Sequence, residues 1–404
     1  MKEVFVARQP IFKHNQKVYG YELLYRSCMD NIFSEPDGNK ATSEVIANSF
    51  LLFGLENITR GEKAFINFTR KLLDDGVAML LPSDLLVVEL LEDVEPDEEV
   101  FQACLKLKKM GYMLALDDFT YSEPYEPFIK MVDFIKVDFL RTSSQTRDSL
   151  ARQLSRYGGE LIAEKVETIE DFNQARDANY KYFQGYFFSR PHVLSSRDIM
   201  GRKLNFVHLL QEARKPEIDF ERVEEIIKRD PALTYKLLRF INSLAFSLKV
   251  EIRSVRQALV LFGQKEVVKW ALLVSLRNIG EDKPDELLTL AVQRARFCEL
   301  LAPLTGQKHR EADFFLMGMF SLIDAFLDQP LDELLVHLPI PEDIKIALLG
   351  QDGLMQDICS LVILYEKGNW EEALAHMTTF GLTEGAVTDS YLDSLRFANE
   401  VSSY

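Results

Sequence analysis

Cysteine is scarce in this sequence. Its four residues, Cys28, Cys104, Cys298 and Cys359, lie far apart and form no Cys-x-x-Cys pair. That spacing argues against a zinc site, and Cys104 and Cys298 fall in helical patterns as small apolar thiols. Histidine is scarce too. His14, His192, His208, His309, His337 and His376 are scattered and read as surface or core imidazoles rather than ligands. No apolar run reaches the length of a membrane span. The opening Met1-Lys2-Glu3-Val4-Phe5 lacks the apolar core and small-residue cleavage site of a signal peptide, so a cytoplasmic protein with no membrane partner is expected. Basic residues are outnumbered, 47 Lys and Arg against 63 Asp and Glu, for a formal charge of −16. Such a chain repels nucleic-acid backbones, and no nucleic-acid partner is expected. An acidic protein that binds phosphates must cancel its own field, which divalent cations do.

What is present is the composition of a soluble globular protein, 47% apolar and 27% charged. A length of 404 residues suits two domains. The first part alternates apolar strand candidates with helical stretches. The strands are placed at Val4–Phe12, Lys17–Arg26, Lys63–Asn67, Leu85–Glu89, Met113–Asp117, Phe134–Asp138, Glu160–Glu164 and Tyr182–Phe187. Helices are placed at Ala41–Leu52, Asp97–Lys109, Arg147–Arg156 and Ile169–Ala178. Pro96-Asp97-Glu98-Glu99 opens the second of these and Gly111 follows its end. This repetition predicts a mainly parallel sheet closed into a modified (β/α) TIM-like barrel, near the lower size limit of that fold. The first two strands have no helix between them and read as a hairpin around His14-Asn15-Gln16, so one strand should run antiparallel. After Pro191 the strand pattern stops. Helices follow at Val223–Arg229, Ala232–Ile241, Ser254–Leu261, Gln264–Leu276, Pro284–Leu301 and Arg310–Phe326, with one or two more from Asn369. The chain thus reads as α/β plus all-α, a barrel over 1–195 and a helical domain over 196–404.

The acids fall at strand ends. Glu89, Asp117, Asp118 and Glu164 end apolar runs, Asn67 ends another, and Glu22 lies inside Gly20-Tyr21-Glu22-Leu23-Leu24. Alternation of side chains puts Lys136 and Asp138 on one strand face and Ile135 and Val137 on the other. The outer face packs on helices, so Lys136 and Asp138 should point inward. The same parity groups Glu22, Leu24 and Arg26. Barrel enzymes collect their chemistry at the C-terminal strand ends. Carboxylates gathered there need compensating charge, and oxygen-only ligands suit Mg²⁺ or Mn²⁺. Two such ions sharing Asp118 could serve an in-line phosphoryl displacement. Taken singly, each acid reads as a solvated turn or a helix cap. The series as a whole points to a site.

These residues resemble the EAL domain family, which hydrolyses cyclic-di-GMP to pGpG. The signature stretch stands here as Gln9-Pro10-Ile11 and Glu22-Leu23-Leu24-Tyr25-Arg26. The resemblance covers about residues 1–195. It implies Glu22, Asn67, Glu89, Asp117 and Glu164 as metal ligands, with Asp118 bridging two Mg²⁺ or Mn²⁺ ions. It places Lys136 and Gln184 near the catalytic water, with Glu164 and Asp118 among the catalytic groups. It also implies Arg26, Gln9 and Leu24 as substrate-binding residues, and Glu92 as a brace for the loop after the Asp pair. Two departures stand out. That loop, glycine-rich in the family, here reads Asp117-Asp118-Phe119-Thr120-Tyr121-Ser122-Glu123-Pro124-Tyr125-Glu126-Pro127, with two prolines and no glycine. Lys165 stands where the family has glycine.

The helical half resembles the HDOD domain, through Asp230-Pro231-Ala232-Leu233, Lys236-Leu237-Leu238-Arg239-Phe240-Ile241-Asn242-Ser243, Ile252-Arg253-Ser254-Val255 and Leu261-Phe262-Gly263. No His-Asp dipeptide occurs, and Gly318–Asp324 fills the place where an HD enzyme carries one. The resemblance implies a non-catalytic output module with a protein partner, and it allows a homodimer. The combination is similar to the YuxH-type signalling group. Three functions stay open: a metal-dependent cyclic-di-GMP phosphodiesterase, a catalytically silent cyclic-di-GMP receptor, and an interaction scaffold.

Overall fold

A computed structural model describes residues 4–27, 54–190, 223–224, 237, 241, 252, 254–280, 283–338 and 340–402. The helix expected at Ala41–Leu52 lies outside them, as does most of Val223–Ile241.

Eight strands close into a barrel in chain order. They are β1 (Val4–Lys13), β2 (Val18–Ser27), β3 (Lys63–Phe68), β4 (Leu86–Leu90), β5 (Met113–Leu116), β6 (Phe134–Asp138), β7 (Glu160–Glu164) and β8 (Tyr182–Gln184). The pairs from β2 to β8 are parallel. β1 runs antiparallel to β2 and, on closure, also to β8. The hairpin forms as expected, with Gln16 at φ 59 in its turn. The last strand is three residues shorter than the alternation predicts. Gly185 leaves it at φ +146, with the Val166 backbone so close that a Cβ would meet its carbonyl oxygen at 2.1 Å. Only glycine fits that turn.

The interior is built in layers, and this positions the site. Ile11, Phe65, Val87, Ala115, Phe134 and Ile162 form an apolar cluster inside the barrel, with Tyr19, Met113 and Tyr182 against it. Rings meet there at ordinary packing distances, 5.4 Å between Phe65 and Phe134 and 4.4 Å between Tyr19 and Tyr182. Side chains alternate along a strand, so the residue two positions on returns to the same face. Two positions toward the mouth from these apolar residues stand Gln9, Asn67, Glu89, Asp117, Lys136, Glu164 and Gln184. The polar ring therefore sits directly on the apolar floor.

Helices around the barrel start where the sequence supplies caps. Asp97 accepts from the Val100 amide at 2.9 Å and opens Glu98–Lys109. Ser143 caps Ser144–Leu154, and Thr168 caps Ile169–Asp177. The later part is helical: Val255–Ile279, Asp285–Leu304, Glu311–Phe320, Ile323–Leu327, Leu331–His337, Glu342–Leu348, Leu354–Glu366, Trp370–Phe380 and Glu384–Ser402. Gly263 at φ 67 kinks the first of these, where the sequence predicts a break. The chain divides into one compact unit of Met1–Phe188 with Leu364–Thr388, and another of Ser189–Ile363 with Asp389–Tyr404. The barrel unit thus includes a late segment. Phe5 stacks on Trp370 at 5.4 Å between ring centroids and meets Tyr365 edge-on at 5.9 Å. Among the described residues, no helix is long and apolar enough to cross a membrane.

Candidate active site

Four strands deliver a carboxylate to one ammonium. The Nζ of Lys136 lies 2.7 Å from Glu89 Oε1, 2.8 Å from Glu164 Oε1, 2.9 Å from Asp117 Oδ1 and 3.1 Å from Glu22 Oε2. Lys136 and Glu89 have no exposed surface. Burial opposes the Lys136 charge, yet Asp117, Glu164, Glu22 and Glu89 together hold its pKa well above the usual lysine value. Burial raises the Glu89 carboxyl well above the carboxylate range, against the pull of Lys136. It pushes Glu164 up to about 8. One ammonium cannot satisfy four carboxylates, three of them buried.

Amides complete the ring. Gln184 Nε2 donates to Glu22 Oε2 at 2.6 Å and to Gln9 Oε1 at 3.1 Å. Asn67 Nδ2 donates to Glu22 Oε1 at 3.1 Å. The Tyr25 hydroxyl donates to the Asn67 backbone oxygen at 2.6 Å and steadies that strand end.

No three Asp, Glu, His or Cys side chains among the described residues are gathered in ligating geometry as they stand. In the barrel, the ammonium holds the point on which the carboxylates converge. The donors nevertheless suit a hard cation. All are oxygens, acid outnumbers base, and Asn67 Oδ1, Glu89 Oε2, Glu164 Oε2 and Gln184 Oε1 are buried without a hydrogen-bond partner. Buried oxygens left unpaired are costly, and a divalent cation would satisfy them.

A second group of charges lies beside the first. Asp118, at φ 41, places Oδ1 3.5 Å from Lys165 Nζ and Oδ2 3.3 Å from Arg141 Nη1. Lys165 also meets Asp138 Oδ2 at 2.6 Å. Asp138 accepts from the Leu140 and Arg141 amides at 2.7 and 3.0 Å. The sequence puts Asp138 on the inner face without giving it a partner; the inward parity it shares with Lys136 was the available signal. The loop after Asp118 tolerates its two prolines because each sits in the first turn of a short helix, Glu123–Tyr125 and Glu126–Ile129. The Glu92 carboxylate is largely exposed and 4.0 Å from Arg141, while its backbone oxygen accepts from Tyr125 of that loop at 3.5 Å.

Arg26 pairs with Phe5 across the hairpin, and its side chain lies outside the described residues. Gln9 and Leu24 face an element that sequence reasoning missed. Gln9 Nε2 donates to the Lys367 backbone oxygen at 3.5 Å. A Cβ on Gly368 would fall 2.7 Å from Leu24 Cδ1. Tyr186 donates to the Glu366 backbone oxygen at 3.3 Å. Nothing in residues 364–370 marks them, by pattern alone, as part of a site.

The helical unit holds no comparable cluster among its described residues. Asp324 is drawn into its own helix start, where Oδ1 accepts from the Ala325 amide at 2.9 Å.

The EAL domain model matches residues 56–191, and the HDOD domain model matches residues 204–327. The first match begins downstream of Gln9, Glu22, Leu24 and Arg26. The chain is 36% identical to "Cyclic di-GMP phosphodiesterase CdgJ" of Vibrio cholerae, over all of this chain and 94% of that one. It is 38% identical to "Uncharacterized protein YuxH" of Bacillus subtilis, over 91% of this chain and 92% of that one. Among solved structures, the EAL-domain protein YkuI of Bacillus subtilis, in complex with c-di-GMP and calcium, is similar at 18% identity and a TM-score of 0.38, covering 64% of this chain and 73% of that one. By its two domain matches and these full-length relatives, the chain belongs to the family in which an EAL domain is joined to an HDOD domain.

Proposed function

We propose that the barrel hydrolyses cyclic-di-GMP to pGpG with the aid of a divalent cation, Mg²⁺ or Mn²⁺. One observation carries this reading: Glu22, Glu89, Asp117 and Glu164 converge on Lys136 in a buried ring that still leaves carboxylate oxygens unpaired. The name of the full-length relative CdgJ supports the same reaction. Glu22, Asn67, Glu89 and Asp117 would hold the cation, and Asp118 and Glu164 complete the donors of the two-ion arrangement that the sequence suggests. A divalent ion there supplies positive charge to a phosphodiester and acidity to water. The residues of the chain do the rest. Lys136 Nζ and the Gln184 amide orient the attacking water. Glu164, kept ionised by the Lys136 ammonium and by the charge of a bound cation, takes its proton at Oε2. Water adds to phosphorus, the P–O3′ bond breaks, the leaving O3′ takes a proton from solvent to give linear pGpG, and Glu164 returns its proton to solvent. Arg26, Gln9 and Leu24 seat the dinucleotide, and Glu92 belongs to the support of the loop after Asp118. The helical half, residues 196–404 by the sequence, acts as a non-catalytic output module for a protein partner, and the barrels can pair as a homodimer.

A second reading, a receptor without turnover, draws on the pairing of Asp118 with Lys165 and Arg141. One experiment separates the readings. Pure full-length protein is incubated with cyclic-di-GMP and Mn²⁺, products are resolved chromatographically, and Glu22→Ala serves as the control. Production of pGpG that the substitution abolishes supports the enzyme. Calorimetric binding without product supports the receptor, and absence of both overturns a nucleotide role.

A further inference from the structure

Asp118 and Asp138 differ from the inner ring in one respect. The inner ring has buried oxygens without partners. Both Asp118 oxygens, by contrast, already lie within 3.5 Å of a cation, Lys165 on one side and Arg141 on the other. Asp138 Oδ2 holds Lys165 at 2.6 Å and has Arg141 Nε at 3.7 Å. Asp138 is almost fully buried and Asp118 largely so, so these contacts are weakly screened by solvent on the carboxylate side.

The backbone supports the same point. Lys165 sits at φ 54, a left-handed conformation that costs free energy for any residue with a Cβ. Glycine would take that conformation without strain. What lysine brings instead is its reach: from the residue after Glu164, its Nζ arrives between Asp118 and Asp138.

We infer that the Lys165 ammonium takes the place of a second divalent cation at Asp118, so that this barrel holds one divalent ion, on Glu22, Asn67, Glu89 and Asp117. The inference rests on the metal-dependent reading above and narrows it from two ions to one. Asp118 then anchors a tethered positive charge at the mouth, and Lys165 is a positioning residue that can face a phosphate oxygen without being lost to dilution or chelation.

The test counts ions rather than turnover. Full-length wild type, Lys165→Gly and Lys165→Arg are dialysed to equilibrium against Mn²⁺. Bound metal per chain is measured, and electron paramagnetic resonance reports whether the ions are spin-coupled. Lys165→Gly suits the backbone at this position and is expected to fold. The expected result is one isolated Mn²⁺ in wild type and in Lys165→Arg, which keeps the charge, and a doubling to a coupled pair in Lys165→Gly. Two ions in wild type or in Lys165→Arg, or one ion in Lys165→Gly, overturns the inference while leaving the metal reading intact. No Mn²⁺ bound by any of the three overturns both.

Discussion

The Lys136 ammonium stands 2.7 Å from Glu89 Oε1, and neither side chain reaches solvent. The pair is shared, since Glu22, Asp117 and Glu164 lie within 3.1 Å of the same nitrogen. Removing one member of a buried charge cluster leaves the others uncompensated, which costs about 3–5 kcal/mol. Lys136→Met, similar in length and without charge, is therefore expected to lower the stability of the metal-free protein by that order. Mn²⁺ should restore part of the loss by taking over the role of counter-ion. Hydrolysis is expected to fall by about 10²–10⁴-fold with the loss of a positioned catalytic group. Thermal melts in EDTA and in Mn²⁺, with a product assay alongside, check both. An unchanged melting temperature in EDTA would show that the carboxylates do not depend on this ammonium.

Gln9 and Leu24 touch the turn at Lys367 and Gly368, and the same turn leads into Trp370 stacked on Phe5. A dinucleotide that uses Gln9 and Leu24 must displace or reshape this turn. Trp370 then reports binding. Adding cyclic-di-GMP with a divalent cation is expected to shift tryptophan emission saturably in wild type, and the shift is expected to vanish in Trp370→Phe, which leaves Trp270 as the remaining tryptophan. Calorimetric binding with no change in emission would mean that the ligand does not reach these two residues.

Alternation made most of the barrel readable. All eight strands form where apolar runs meet turn residues, and the inward parity of Lys136 and Asp138 follows from a period of two. The helix start at Asp97 was legible from Pro96-Asp97-Glu98-Glu99. The part that stayed hidden is long-range. No local pattern says that Lys165 will reach Asp138, because that contact depends on a left-handed backbone at Lys165 and on adjacent strand ends. Nor does any local pattern bring residues 364–388 to the first strands. The helices at Leu331–His337, Glu342–Leu348 and Leu354–Glu366 lie between the predicted ones; the first two are only seven residues long and start just after Pro330 and Pro341, too short to show a helical period.

Cys104, Cys298 and Cys359 are buried, and burial pushes the Cys104 thiol up to about 12. The thiolate is the reactive form, so a thiol held protonated behind packed side chains is inert. Ellman's reagent at neutral pH is therefore expected to label at most one thiol per native chain, and all four after denaturation in guanidinium. Rapid labelling of two or more thiols in the native protein would contradict the packing around these cysteines.

Gly318 marks a place where two helices touch through their backbones. A Cβ built there would fall 2.6 Å from the Ala295 Cα and 2.6 Å from the Arg294 carbonyl oxygen, both in Asp285–Leu304. Two effects oppose one another in Gly318→Ala. Alanine favours a helix over glycine by about 1 kcal/mol, whereas overpacking a close contact costs about 1–3 kcal/mol. The obstacle here is backbone, which cannot rotate aside as a flexible side chain would, so the clash should win and the substitution should destabilise. Gly158→Ala provides the comparison, since no atom beyond its chain neighbours lies within 4 Å of its Cβ position. It is expected to be neutral, or stabilising by about 0.4–1 kcal/mol, through the unfolded chain. Urea unfolding of the two variants measures the difference. A Gly318→Ala protein as stable as wild type would mean that these helices have more room between them than their backbones show.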